Sequence, residues 1–138
     1  MESSYDKIVY YRLSSDEKRA LLDSLRSLLE KDDSVKLCYV FGSFTRREHI
    51  RDIDIAIYTM PHLPFNEFLS FGTKIEIQLG IPVDLLQLQD IDPNLRFKIL
   101  INGIPVIIKD EKLHNKLISQ AFSELQDQKI SKASLNLL

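Results

Sequence analysis

The sequence predicts a mixed α/β domain of the α+β class, built as a small mixed β-sheet flanked by helices. Apolar runs of strand length, at 35–41, 52–58, 83–89 and 104–108, alternate with segments whose apolar residues recur at helical spacing. Gly42, Gly80, Pro82 and Gly103 fall at the borders of these runs, where breakers belong. No internal repeat and no Gly-, Pro- or Ser-rich linker divides the chain. Residues 1–138 therefore read as one domain with a core at about 14–127.

Residues 1–13 are a polar start followed by Ile8-Val9-Tyr10-Tyr11, which predicts an extended arm. Ser14 with Glu17 three positions on has the form of a capping box, which opens a helix. Leu21, Leu22, Leu25, Leu28 and Leu29 then make one apolar stripe through about residue 31. Val35 to Phe41 is the first core strand, ended by Gly42, and Ser43 to about Glu48 is expected as a short helix. Asp52 to Tyr58 is the second strand. The Met60–Pro64 breaker precedes a helix over 65–79, whose Phe65, Phe68 and Phe71 cannot all share one stripe. Val83 to Gln89 is the third strand. Asp92-Pro93 opens the next helix with proline at its favoured first position, and Gly103 closes it. Ile104 to Ile108 follows as a short strand, which Pro105 assigns to a sheet edge or a strand start. Asp110 caps a last helix carrying Leu113, Leu117, Ala121, Phe122 and Leu125, and residues 129–138, which lack any period, are expected as a flexible tail.

Composition narrows the function classes. The chain is 44% hydrophobic and 28% charged, with a net charge of −2, which disfavours general binding to nucleic acid. Its apolar runs are too short to cross a bilayer, and no signal-like segment opens it. Cys38 is the single cysteine, so no internal disulfide can form and a reduced, cytoplasmic setting is expected. His49, His62 and His114 are scattered without ligand spacing.

The informative stretch is 39–58. On an extended strand, residues i and i+2 share a face, so Asp52 and Asp54 would stand side by side, ~7 Å apart. Two carboxylates held together repel, and a divalent cation relieves that repulsion with the oxygen ligands it prefers. Asp84, near the start of the third strand, supplies a third acid that could hold a second ion or act as general base. Gly42-Ser43 ends the first strand in a turn whose backbone N–H groups could receive a phosphate. The competing reading makes Asp52 and Asp54 a solvated strand end, Asp84 a turn cap and Ser43 a plain N-cap. Arg46, with Arg47 and Arg51, either meets a triphosphate or an acidic partner, or belongs to a solvated charged loop.

Val40-Phe41-Gly42-Ser43, Asp52-Ile53-Asp54-Ile55-Ala56-Ile57 and Val83-Asp84-Leu85-Leu86 together resemble the signature of the DNA polymerase beta-type nucleotidyltransferase superfamily. The likeness is greatest to its smallest branch, the minimal nucleotidyltransferase (MNT) proteins. Ile91-Asp92-Pro93-Asn94-Leu95 and the run Ile101 to Ile107 extend it over roughly residues 14–127. The resemblance implies a polymerase beta-like fold with a catalytic metal site at Asp52, Asp54 and Asp84. It implies Gly42 and Ser43 on the triphosphate, Mg²⁺ in a two-metal arrangement, and ATP as substrate. MNT proteins are often encoded beside HEPN-domain toxins and act as their antitoxins, some by transferring AMP to a toxin tyrosine. That role is the one expected here, with a HEPN-type partner, or a second copy of this chain, completing the cleft. The spacer of eight residues between Ser43 and Asp52 is shorter than the family pattern, and Arg47 and Arg51 stand where small residues are common. A catalytically idle module that neutralises its partner by occlusion is the rival expectation. An aminoglycoside-type nucleotidyltransferase is a third, although those enzymes usually carry an additional helical domain.

Overall fold

A computed structural model describes the backbone of residues 8–136 and the side chains of residues 8–127. In chain order the elements are β1 (Tyr11–Arg12), α1 (Ser15–Glu30), β2 (Val35–Phe41), a 3-10 turn (Gly42–Thr45), β3 (His49–Ile50) and β4 (Ile53–Thr59). They continue with α2 (Phe65–Leu79), β5 (Val83–Gln87), a 3-10 turn (Leu88–Asp90), α3 (Pro93–Asn102), β6 (Ile104–Ile108) and α4 (Glu111–Asn136).

Four strands form the main sheet in the order β5-β4-β2-β6. β2 pairs antiparallel with both β4 and β6, whereas β4 and β5 run parallel, so the sheet is mixed as expected. Pro105 sits on the edge strand β6, where a missing N–H costs no interior ladder bond. Alternation along the strands sends side chains to two cores. Cys38, Val40, Ile55 and Ile57 pack with Leu25 and Leu29 of α1 and Ile75 of α2. Leu37, Tyr39 and Ala56 pack with Ile99 and Leu100 of α3 and Leu117 and Ala121 of α4. The result is three layers, with a helix pair on each face of the sheet.

Caps hold the helices where the sequence predicts them. The Ser14 hydroxyl accepts from the Glu17 N–H at 3.1 Å, while the Glu17 carboxylate accepts from the Ser14 N–H at 3.2 Å. Asp92 caps α3 through the N–H groups of Asn94 and Leu95, and Asp110 accepts from the Leu113 N–H at 3.0 Å. The Tyr39 hydroxyl bonds His114 Nε2, and the two rings stack with centroids 5.8 Å apart, which pins α4 to β2. Of the three aromatics in α2, Phe65 is exposed and Phe71 packs on the core.

Several expectations are corrected. Residues 43–48 do not form a helix. A single 3-10 turn ends at Thr45, because Phe44 drops into the core and the chain must then pair with the N-terminal arm. That pairing is β1 with β3, Tyr11 opposite Ile50 and Arg12 opposite His49. Lys18 fastens the turn from α1, donating to the carbonyls of Phe44 at 2.7 Å and Arg47 at 2.6 Å. β4 starts at Ile53 rather than Asp52, which lies in the bend before it. β5 ends at Gln87, beyond which the chain turns in 3-10 form over Leu88–Asp90, and the Gln87 side-chain amide bonds Thr59 and Leu63. Helical backbone continues through Asn136, past the point where the apolar period fades, and residues 137–138 lie outside the described part. Among the described residues no helix is long and apolar enough to cross a membrane.

Candidate active site

The acids are carried by adjacent strands. Asp54 on β4 lies in register with Asp84 on β5 on one side and with Phe41 of β2 on the other. The parallel pairing of β4 with β5 is what brings Asp84, thirty residues further along the chain, beside Asp54. Asp54 is half-buried, and its carboxyl pKa is pushed up from 3.8 to about 6. Burial is the main cause, followed by the charges of Asp52 and Asp84 and a hydrogen bond between the Asp54 and Asp84 side chains. Such a bond between two carboxyls requires a shared proton. Asp52 is set slightly apart, lining an open cavity of about 490 Å³ with Tyr11, Arg51 and Pro82.

This is a donor set of hard oxygens under mutual repulsion, the chemistry that suits Mg²⁺. Among the described residues, however, no group of three or more His, Cys, Asp or Glu side chains is already gathered closely enough to hold an ion. Asp54 and Asp84 are together, and Asp52 acts on Asp54 through its charge.

Gly42 locks the turn to the acids. Its φ of +73° is left-handed, and a Cβ built there would run into Oδ2 of Asp54. Glycine is thus required twice, for the backbone and for the approach of the carboxylate. The Thr45 hydroxyl closes the turn by donating to the Gly42 carbonyl at 2.7 Å, and the Ser43 carbonyl accepts from the N–H groups of Arg46 and Arg47. Phe41 and Gly42 also form one wall of a cavity of about 630 Å³ between this turn and α3. Arg46 stands on the same side, and Lys98 and Asn102 of α3 face it.

A family model for "Polymerase beta, Nucleotidyltransferase" matches residues 23–112, about two thirds of the chain. The chain belongs to this nucleotidyltransferase family. The match spans β2, the Gly42-Ser43 turn, Asp52, Asp54, Asp84 and α3. Solved structures agree on the fold. A chain of a Shewanella oneidensis complex, a tri-AMPylated HEPN toxin with an MNT antitoxin, superposes with a TM-score of 0.68 at 18% identity, covering 86% of this chain and 94% of that one. A chain of a toxin-antitoxin complex with AMP-PNP gives 0.64 at 20% identity, covering 89% and 95%. A candidate minimal nucleotidyltransferase gives 0.56 at 25% identity, covering 67% and 96%. No curated protein matches the chain by sequence at a significant level.

Of the positions singled out from sequence, the nucleotidyltransferase fold brings Gly42, Asp54 and Asp84 into contact or register and keeps Asp52 within electrostatic reach. Ser43 sits in the turn itself, half-buried, and Arg46 lines the neighbouring cavity. Lys98 and Asn102 went unread. They lie in α3 as ordinary polar positions, and only the packing of α3 beside the Gly42 turn gives them a common cavity with Arg46.

Proposed function

We propose that this chain is a metal-dependent nucleotidyltransferase that transfers AMP from ATP to a hydroxyl, a tyrosine in the first instance, of a HEPN-type partner whose toxicity it thereby suppresses. The observation that carries the reading is the row Asp84–Asp54–Gly42, two acids in register with a glycine fitted against one of them. Family membership supports the reaction class, and the fold likeness to antitoxins solved with HEPN toxins supports the partner.

In this reading Asp52 and Asp54 hold Mg²⁺, with Asp84 available to a second ion. Bound there, the metal would neutralise triphosphate charge and acidify the attacking hydroxyl. The Gly42-Ser43 turn presents N–H groups to the triphosphate, and Arg46 adds positive charge beside it. Asp84 is the more exposed of the two acids in register, so it can meet an incoming hydroxyl and accept its proton. The hydroxyl oxygen bonds to the α-phosphorus, and pyrophosphate leaves. In this reading the acceptor is delivered by the partner.

One observation favours the alternative of an idle transferase fold that acts by occlusion, namely that the three acids are not gathered into a ready ion site. A labelling experiment separates the two. Purified protein is mixed with Mg²⁺, ATP labelled on the α-phosphate and a candidate HEPN partner, and the mixture is repeated with Asp52→Asn/Asp54→Asn. Label reaching the partner only with the intact acids is expected. Equal binding of the partner by both proteins with no label moved would establish occlusion instead.

A further inference from the structure

We infer that the cavity between the Gly42 turn and α3 receives the nucleotide, and that Lys98, with Asn102 on the same helix, is a nucleotide-binding residue. This deepens the proposed function and rests on it. The first support is continuity. Asp84, Asp54 and Phe41 are successive register partners across β5, β4 and β2, so they share one face of the sheet. Phe41 and Gly42 then line the cavity, which therefore begins where the row of acids ends. At about 630 Å³ it is of the size that small-molecule sites have.

The second support is charge. Other cations of this fold have structural work: Lys18 holds the carbonyls of Phe44 and Arg47, Lys109 those of Leu29 and Asp32, and Arg96 those of Leu88 and Ile91. Arg46 and Lys98 make no such bond, which is true of several exposed cations, but these two line one cavity together. Among the described residues neither forms an ion pair, and no carboxylate lines their cavity. Two cations facing one another across a space without counter-charge describe a site for a polyanion. The apolar floor of Phe41, Leu95 and Ile99 suits the flat face of a base, and Asn102 offers an amide that can both donate and accept. A nucleotide with its α-phosphorus at the acids would send its β- and γ-phosphates along the Gly42 turn towards Arg46 and Lys98.

The placement on the helix is consistent. Leu95, Lys98, Ile99 and Asn102 follow the i, i+3, i+4, i+7 rule, so they form one stripe of α3. Ile99 is buried as the anchor of that stripe, while Lys98 and Asn102 are exposed, so neither is there to fill the core.

The test is titration of the full-length chain with ATP carrying a fluorescent N-methylanthraniloyl group, with Mg²⁺ present. Lys98→Ala should weaken binding about five- to tenfold, the size expected for one charge-assisted contact to phosphate. Lys98→Arg should restore most of it. Lys112→Ala, an exposed cation on α4 outside the cavity, should change nothing. The thermal midpoint without nucleotide should stay the same in all three variants. Binding by the intact chain that Lys98→Ala leaves unchanged would overturn this inference while sparing the proposed function. No binding by the intact chain would overturn both.

Discussion

Neutralising Asp54 should make the metal-free protein more stable while abolishing transfer. The raised pKa fixes the sign. With 3.8 unfolded and about 6 folded, the native state holds the proton more tightly, so stability is greatest below the unfolded value and falls as pH rises through 6. A shift of about two units corresponds to ~3 kcal/mol at pH 7.5 if solvent is ignored. Asp54 is only half-buried, and screening reduces the figure to ~1–2 kcal/mol. Asparagine keeps the shape and can still donate to Asp84, so Asp54→Asn should recover about 1 kcal/mol, or ~3 °C in Tm for a domain of this size. Urea unfolding in EDTA at pH 7.5 and near pH 4 measures it. The gain should be present at the higher pH and vanish at the lower. A variant less stable than the parent at pH 7.5, or a gain equal at both values, would refute the electrostatic reasoning.

The remaining predictions concern geometry. Gly42→Ala should cost ~2 kcal/mol and remove transfer activity, because the left-handed backbone and the Asp54 carboxylate both oppose a Cβ; thermal melts and the labelling reaction read the two effects separately. Tyr39→Phe removes the hydroxyl that His114 faces and should lower stability by ~1 kcal/mol, measured by urea unfolding, with the helix content unchanged by circular dichroism. Gln87→Leu leaves the buried Thr59 hydroxyl and the backbone of Leu63 without partners and should cost ~2 kcal/mol, more than Gln89→Leu, whose partners are the backbone groups of Thr59 alone.

Much of this molecule is written locally. The capping box at Ser14 and Glu17, the proline after Asp92 and the runs at 35–41 and 104–108 each act over a few residues, and the corresponding helices and strands stand where their pattern places them. The acids and the Gly42-Ser43 turn stand out for the same reason, since an Asp-x-Asp at the start of an apolar run and a glycine at a strand end are short-range signals. Tertiary structure decided the rest. Whether residues 43–48 coil into a helix depends on Phe44 finding the core and on Lys18 reaching two carbonyls from another element. The extent of β4 likewise depends on a neighbour: the Ile53 N–H meets the Pro82 carbonyl at 2.9 Å, and Asp52 is left in the bend. That Asp84 stands beside Asp54 follows from parallel pairing across thirty residues of chain, and that Lys98 shares a cavity with Arg46 follows from how α3 lies on the sheet. Such arrangements minimise the energy of the whole packed domain, so no window of sequence contains them.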